Sequence, residues 1–266
     1  MRFALNHIAA PRRELPAFFA LARALGIVGV EIRNDLDGVP LRDGTPAATV
    51  RAAAEAAGVR ILTVNALQRF ERWDATRAAE ADALAEYAAA CGAAALVLCP
   101  TNDIADTRGA RQRAADLRTA LEALRPILLA HGVAGYVEPL GFAECALRRK
   151  RDAIDAIDEL RAADVFSVVH DTFHHGLSGE IELFGPRTGL VHISGVEADL
   201  PLDRLRDPER VLVGPADRID NAGQIAALIA DGYEGAFSFE PFSPDVHALP
   251  DLGAALRASI AHLQPT

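Results

Sequence analysis

The chain predicts a closed (β/α)8 TIM barrel, and three observations carry that expectation: its length, a recurring helix, Gly and strand unit, and the spacing of that unit. It has 266 residues, 50% hydrophobic and 24% charged, which places it among folded globular proteins and outside the disordered, collagen-like and disulfide-scaffold classes. A length of about 250 residues suits one α/β barrel or two smaller domains. The unit decides between them. An Ala- and Leu-rich helical stretch ends on Gly, a short β-prone run follows, and polar residues close the run. A Gly at that point supplies the left-handed turn that stops a helix before a strand. Gly26, Gly58 and Gly92 follow one another at 32 and 34 residues, the size of one β-loop-α-loop unit and too long for a hairpin.

The elements are read in order as follows. The first strand is Arg2 to Asn6, an apolar run ending in polar residues, with neither the core nor the cleavage site of a signal peptide. Leu21 to Gly26 closes a helix over 14–25 and leads into the strand Val28 to Arg33. A helix over 44–57 ends at Gly58 before Arg60 to Asn65, and one over 75–91 ends at Gly92 before Ala94 to Cys99. A helix over 110–131 ends at Gly132 before Gly135 to Glu138. The remaining strands are Val165 to His170, Leu190 to Ile193 and Ala236 to Glu240, with helices over 150–162, 181–187, 221–231 and 247–263. Eight such units fill residues 1–266 as a single barrel domain. A doubly wound open sheet is the rival, but no GxGxxG or GxxxxGK[ST] follows any strand.

Charge and cysteine usage narrow the function classes. Lys and Arg number 27 against 37 Asp and Glu, a net charge of −10 that disfavours binding to nucleic acid phosphates. No run is long enough to span a membrane, for which about 18 apolar residues are needed. Cys91, Cys99 and Cys145 form no CxxC pair, which fits a reducing cytoplasm. Lys150 is the only lysine, so Schiff-base chemistry would hang on one residue.

In a barrel of this kind catalytic groups sit at the C-terminal ends of the strands. Four successive strands end in metal-compatible residues: Val137-Glu138-Pro139, Val169-His170-Asp171, Val191-His192-Ile193 and Phe239-Glu240-Pro241. Alternation along a strand puts Val137, Val191, Phe237 and Phe239 on the helix-facing side, which turns Glu138, His192 and Glu240 toward the barrel axis. Asp171 points inward by the same rule, and His170 points away, behind it. Three carboxylates meeting in a partly dry site repel one another by several kcal/mol unless a cation compensates. Three carboxylates and one imidazole suit one divalent ion, Mn2+ or Zn2+, with Co2+ or Mg2+ also compatible.

The segments Val137 to Phe142, His170 to His175, Val191 to Gly195 and Phe239 to Phe242 resemble the four metal-bearing strand ends of the sugar isomerase and epimerase superfamily with the xylose-isomerase-like barrel. Within it the chain is most similar to the bacterial 2-keto-myo-inositol isomerases. The resemblance implies Glu138, Asp171, His192 and Glu240 as metal ligands, with Glu138 and Glu240 doubling as the acid/base pair. It implies that His174 binds a substrate oxygen, and that the substrate is a keto-polyol or ketose. Relatives acting on open-chain ketoses carry an arginine six residues after the ligand histidine; here that position is Ala198. The chemistry stands beside the family: a divalent ion on a ketone oxygen stabilises the enediolate left when the neighbouring C–H is deprotonated, and a flanking carboxylate can return the proton one carbon away.

Asn6, Glu31, Arg33 and Asn65 fall on the inward parity of the first three strands, and Arg69 follows in the next loop, which gives a polyol pocket its donors and acceptors. Glu31 and Arg33 equally suit an internal ion pair. Phe70 and Trp73 suit either a cover for a ring face or a packing plug. Glu144 suits either a substrate contact or a helix cap, and Arg148 to Arg151 reads as a solvated or interface surface. His175 has a weaker claim on the substrate than His174. The apolar segment Val246 to Pro265 packs on the barrel or on a partner, so monomer and homodimer both stay open. Rival activities on the same barrel are a ketose 3-epimerase, a hydroxypyruvate isomerase and an inosose dehydratase. A non-catalytic sugar-binding barrel and an endonuclease-IV-like protein are more remote.

Overall fold

The computed structural model describes residues 1–27, 29–36 and 43–264; Val28, expected to open the second strand, and Pro265, at the end of the last apolar segment, lie outside them. The chain begins β1 (Phe3–Asn6), α1 (Leu15–Ala24), β2 (Gly29–Arg33), α2 (Ala47–Ala57), β3 (Arg60–Gln68), α3 (Ala75–Cys91), β4 (Ala95–Cys99) and α4 (Ala110–His131). It continues through β5 (Ala134–Val137), α5 (Lys150–Glu159), β6 (Phe166–Asp171), α6 (Thr172–Ser178), β7 (Thr188–Ile193), β8 (Gly195–Val196) and β9 (Arg210–Val211). The last elements are α7 (Asn221–Ala230), β10 (Phe237–Phe239), α8 (Pro244–His247) and α9 (Leu252–Leu263). Eight parallel strands close in the order β1-β10-β7-β6-β5-β4-β3-β2, which is the expected (β/α)8 barrel. The five glycines that end the recurring unit, Gly26, Gly58, Gly92, Gly132 and Gly232, all have positive φ. No described helix is long and apolar enough to cross a membrane.

Two helices depart from expectation. The helix placed at 181–187 forms instead at Thr172–Ser178, directly off β6, because the Asp171 carboxylate accepts the N–H groups of Phe173 and His174 and so caps it at once. Only a short 3-10 turn, Gly185–Arg187, remains near the expected place. The helix over 247–263 is split into α8 and α9 around Pro250, since a proline disfavours the helical conformation of the residue before it. Asp251 then caps α9 through the N–H of Ala254. The antiparallel pair β8 and β9 was not foreseen.

The main core lies between the barrel and the helices and contains Val137, Val191, Phe237 and Phe239, as strand alternation requires. Each such fully buried large side chain contributes about 1.5–3 kcal/mol. Leu252, Leu256 and Leu263 of α9 join the same core, so the C-terminal segment packs on its own barrel. Inside the barrel a small apolar layer of Ala66, Val97, Cys99 and Val169 rests against Tyr136. Tyr136 fits there because residue 189 is glycine: a Cβ at that position would come within 2.5 Å of the tyrosine ring.

Candidate metal centre

Four adjacent strands build the centre. The N–H of Glu138 bonds to Leu98 O at 3.0 Å and that of Glu240 to Ile193 O at 2.9 Å, so both glutamates are fixed by the sheet just past β5 and β10. Asp171 ends β6 and His192 lies in β7, paired with each other in register. Ligand atoms of Glu138, Asp171, His192 and Glu240 all lie within 4.8 Å of one another, and all four residues are buried. The Nδ1 atom of His192 is 2.8 Å from Glu138 Oε1, 3.2 Å from Glu240 Oε2 and 3.9 Å from Asp171 Oδ2. Three carboxylates and an imidazole nitrogen therefore converge on one point, a donor set that fits a hard or borderline divalent cation.

The opposite nitrogen fixes the ring. His192 Nε2 is 3.2 Å from Glu31 Oε2. Glu31 is fully buried and also accepts from Thr63 Oγ1 at 2.7 Å, from Asn65 Nδ2 and Asn6 Nδ2 at 3.2 Å, and from Ser238. With so saturated a carboxylate receiving the Nε2 proton, a bound ion would take the Nδ1 lone pair, the arrangement metal-binding histidines use. Burial would raise Glu31, but the His192 imidazole and these donors bring it down to about 2. Burial likewise opposes a charge on His192, yet Glu240, Glu31 and Glu138 outweigh it and hold the imidazole well above its ordinary value.

Above the cluster opens a cavity of about 340 Å3 whose lining includes Glu138 and Glu240. A larger cavity of about 560 Å3 lies between α4 and α5, away from the strand ends and without the convergent ligands. Chemistry rather than size therefore marks the site. Arg33, Asn65, Arg69 and His174 line the smaller cavity, in the places where substrate contacts were expected. Asn6 and Glu31 do not: both are fully buried beneath it, and their polar atoms are taken up by the network around His192 and Glu240. Arg33 pairs with Asp35 at 2.7 Å and Glu240 at 3.0 Å rather than with Glu31.

Other expectations need correcting. Phe70 is part of the main core, with Trp73 packed on it, so both are plugs. Glu144 stands 3.9 Å from Arg206 and neither lines the cavity nor caps α5. The basic run is not simply a solvated face: Lys150 is buried, and its Nζ donates to His175 Nδ1 and Glu180 Oε2, both at 2.8 Å. His170 sits behind Asp171 as expected, with Nε2 3.0 Å from Gln224 Oε1.

Burial, and after it the Lys150 ammonium, lower His175 to about 4. Its fold-specific stability is then full above the ordinary value of 6.5 and is lost as pH falls toward 4, because only the unfolded chain takes up the proton. In chelator-treated protein, His175→Phe is expected to flatten the decline in unfolding free energy over that window by about 3 kcal/mol. Urea unfolding of both proteins across the window checks it; parallel pH slopes would refute it.

Arg210 was missed. It reaches the centre from β9, 2% exposed, with Nη2 2.6 Å from Asp171 Oδ2 and 2.8 Å from Glu240 Oε2. Its guanidinium and that of Arg33 lie over the ring of Phe242, 4.5 and 5.4 Å from its centroid. Ala198 itself packs against a small apolar cluster that includes Phe142 and Phe173. Two strand residues after a long loop leave no periodic signal; the only hint was a charge in the otherwise β-prone Arg210-Val211-Leu212-Val213. Cys99 was also overlooked, its Sγ 3.4 Å from Glu138 Oε2.

A closed barrel carrying a buried Glu, Asp, His and Glu constellation at the ends of four adjacent strands defines a class of metal-site TIM barrels, and the chain belongs to the xylose isomerase-like TIM barrel family, whose model matches residues 19–266. Among solved structures it is similar to a xylose isomerase domain containing protein from Salmonella typhimurium LT2, with 32% identity and a TM-score of 0.90 over 98% of this chain and 97% of that one. It is also similar to the IOLI protein with a bound zinc atom, at 22% identity and a TM-score of 0.88 over 99% and 98% of the two chains. The 3-keto-D-glucoside 4-epimerase YcjR from E. coli shares the fold at 19% identity and a TM-score of 0.74, covering 99% and 98%. No curated protein matches the chain in sequence.

Proposed function

We propose that this protein is a divalent-metal-dependent isomerase or epimerase of a cyclic keto-polyol, with conversion of 2-keto-myo-inositol to 1-keto-D-chiro-inositol as its reaction. The observation that carries the reading is the buried four-ligand cluster at the base of a polar cavity of about 340 Å3. Glu138, Asp171, His192 and Glu240 would hold one ion, Mn2+ or Zn2+ in the first instance. Bound there, it supplies Lewis acidity toward a ketone oxygen and an adjacent hydroxyl.

The chain's own groups do the rest. One of Glu138 and Glu240 takes the proton from the carbon beside the ketone; the hydroxyl proton on that carbon passes to the former ketone oxygen, and the glutamate now protonated gives its proton to the former carbonyl carbon as the ketone reforms next door. No oxidant or reductant is needed, because the two carbons exchange oxidation levels. Burial opposes the charge on Glu240, but His192, Arg210 and Arg33 bring it down to about 2, so the resting group is a carboxylate. Arg33 and Arg210 also fix its direction, one on each oxygen. Asn65, Arg69 and His174 offer donors to substrate hydroxyls from the cavity wall. The sugar epimerases of the same fold support this class of substrate.

The test is incubation of 2-keto-myo-inositol with enzyme and Mn2+ or Zn2+ in D2O, followed by NMR. Isomerisation with deuterium at the exchanged carbon is expected. Loss of water would mean a dehydratase instead, and an unreacted substrate would move the assignment to ketoses or hydroxypyruvate.

A further inference from the structure

The only lysine of the chain lies buried behind the metal centre, in a place the proposed reaction does not use. Lys150 is 3% exposed and heads α5, where Glu180 receives both its side chain and the backbone N–H groups of Lys150 and Arg151. Its ammonium has three N–H donors, of which His175 Nδ1 and Glu180 Oε2 take two. Among the described residues the third has no acceptor.

On the neighbouring α6, His174 and His175 diverge. His174 is 3% exposed and lines the substrate cavity, yet its Nδ1 is sealed from solvent and has no hydrogen-bond partner. A buried polar atom without a partner is costly, and native folds nearly always satisfy such atoms with protein or ordered water. The same histidine also borders a second, small cavity of about 10 Å3, walled by Lys150, His175, Ser178, Glu180 and Asp171. Pro139 and Val169 also wall it, the volume is about the space one water needs, and the polar groups named are partners of the kind that hold one. Gly141 lies against the carbonyl of His174, where a Cβ would come within 2.1 Å of the oxygen, so the loop after β5 packs on α6.

We propose that one ordered water fills this cavity, accepting from Lys150 Nζ and bonding His174 Nδ1, so that Lys150 is a positioning residue for the histidine that meets the substrate. The inference rests on the proposed function only in assigning His174 to substrate. The water bond decides which nitrogen of His174 is turned to the cavity and holds the ring plane against rotation, so a bound hydroxyl or ketone oxygen meets a fixed donor. Without Lys150 the water loses its donor and the ring its restraint.

The experiment pairs crystal structures that resolve ordered water with kinetics on 2-keto-myo-inositol, for the native enzyme, Lys150→Met and the double variant Lys150→Met with Glu180→Gln. The double variant removes the unpaired buried glutamate that could keep the single one from folding. Density for one water within hydrogen-bond distance of Nζ and His174 Nδ1 is expected in the native enzyme and none in the variants. KM is expected to rise about tenfold, with kcat changed less and bound metal unchanged, as loss of one positioned hydrogen bond predicts. A dry cavity in the native enzyme overturns the proposal. So does a variant with a displaced water but native KM. If the water is present and lost as expected while no keto-polyol reacts, the structural link stands and the functional reading falls.

Discussion

Glu240→Gln is expected to reduce turnover of the keto-polyol by at least about 1,000-fold, within the range that loss of a general acid/base produces, while the protein stays folded. The amide has the size of the carboxylate, so the fit beneath the cavity is kept. Asn6 Nδ2 at 3.1 Å and Arg33 Nη1 at 3.0 Å can still donate to the amide oxygen. The other position is where the change tells. Glu240 Oε2 faces Arg210 at 2.8 Å and His192 at 3.2 Å, and an amide NH2 there is a donor facing donors, unable to take a proton or to ligate as an anion. Turnover by NMR, far-UV circular dichroism and metal content by elemental analysis separate the three consequences. Undiminished turnover would sink the acid/base assignment, and a non-catalytic sugar-binding role would then gain.

Removing the metal is expected to abolish activity and destabilise the protein together. Protein purified without chelator should carry close to one divalent ion per chain, and chelation followed by Mn2+ or Zn2+ should restore turnover. An ion present at about 100 times its dissociation constant stabilises the fold by about 2.7 kcal/mol, or a melting shift of about 5–10 °C for a chain of this size. The physical source is the repulsion among Glu138, Asp171 and Glu240, which the protein alone offsets with His192 and the Arg210 and Arg33 guanidiniums. Differential scanning fluorimetry with and without added ion reads the shift. Absence of stoichiometric metal, with no rescue by Mn2+, would count against the centre.

The ligand set was legible because it depends on local rules. Val137 must face the helices if it is to be buried in the outer core, and strand alternation then turns Glu138 inward; the same step applies to Val191 with His192 and to Phe239 with Glu240. The limits were equally physical. Parity told that Asn6 and Glu31 point inward, but not how high each sits along the axis. Depth depends on strand stagger, and β2 slips register against β3 between Val30 and Glu31. Glu31 therefore ends beneath His192 instead of on the cavity wall. The early start of α6 turned on the Asp171 side chain capping its own helix, although Asp-Thr-Phe-His-His carries the residue types of a cap.

By itself, then, the sequence determined the barrel, the helices that Gly terminates, and the four strand ends that gather a metal-binding set, because periodicity and capping act over a few residues. Tertiary structure alone decided that Arg210 crosses from β9 to Asp171 and Glu240, that Glu31 selects the nitrogen His192 presents, and that Lys150 lies buried between His175 and Glu180. Those contacts join residues far apart in the chain. They are fixed by how loops close over the barrel mouth and by the need of each buried charge for a partner, neither of which has a period to read.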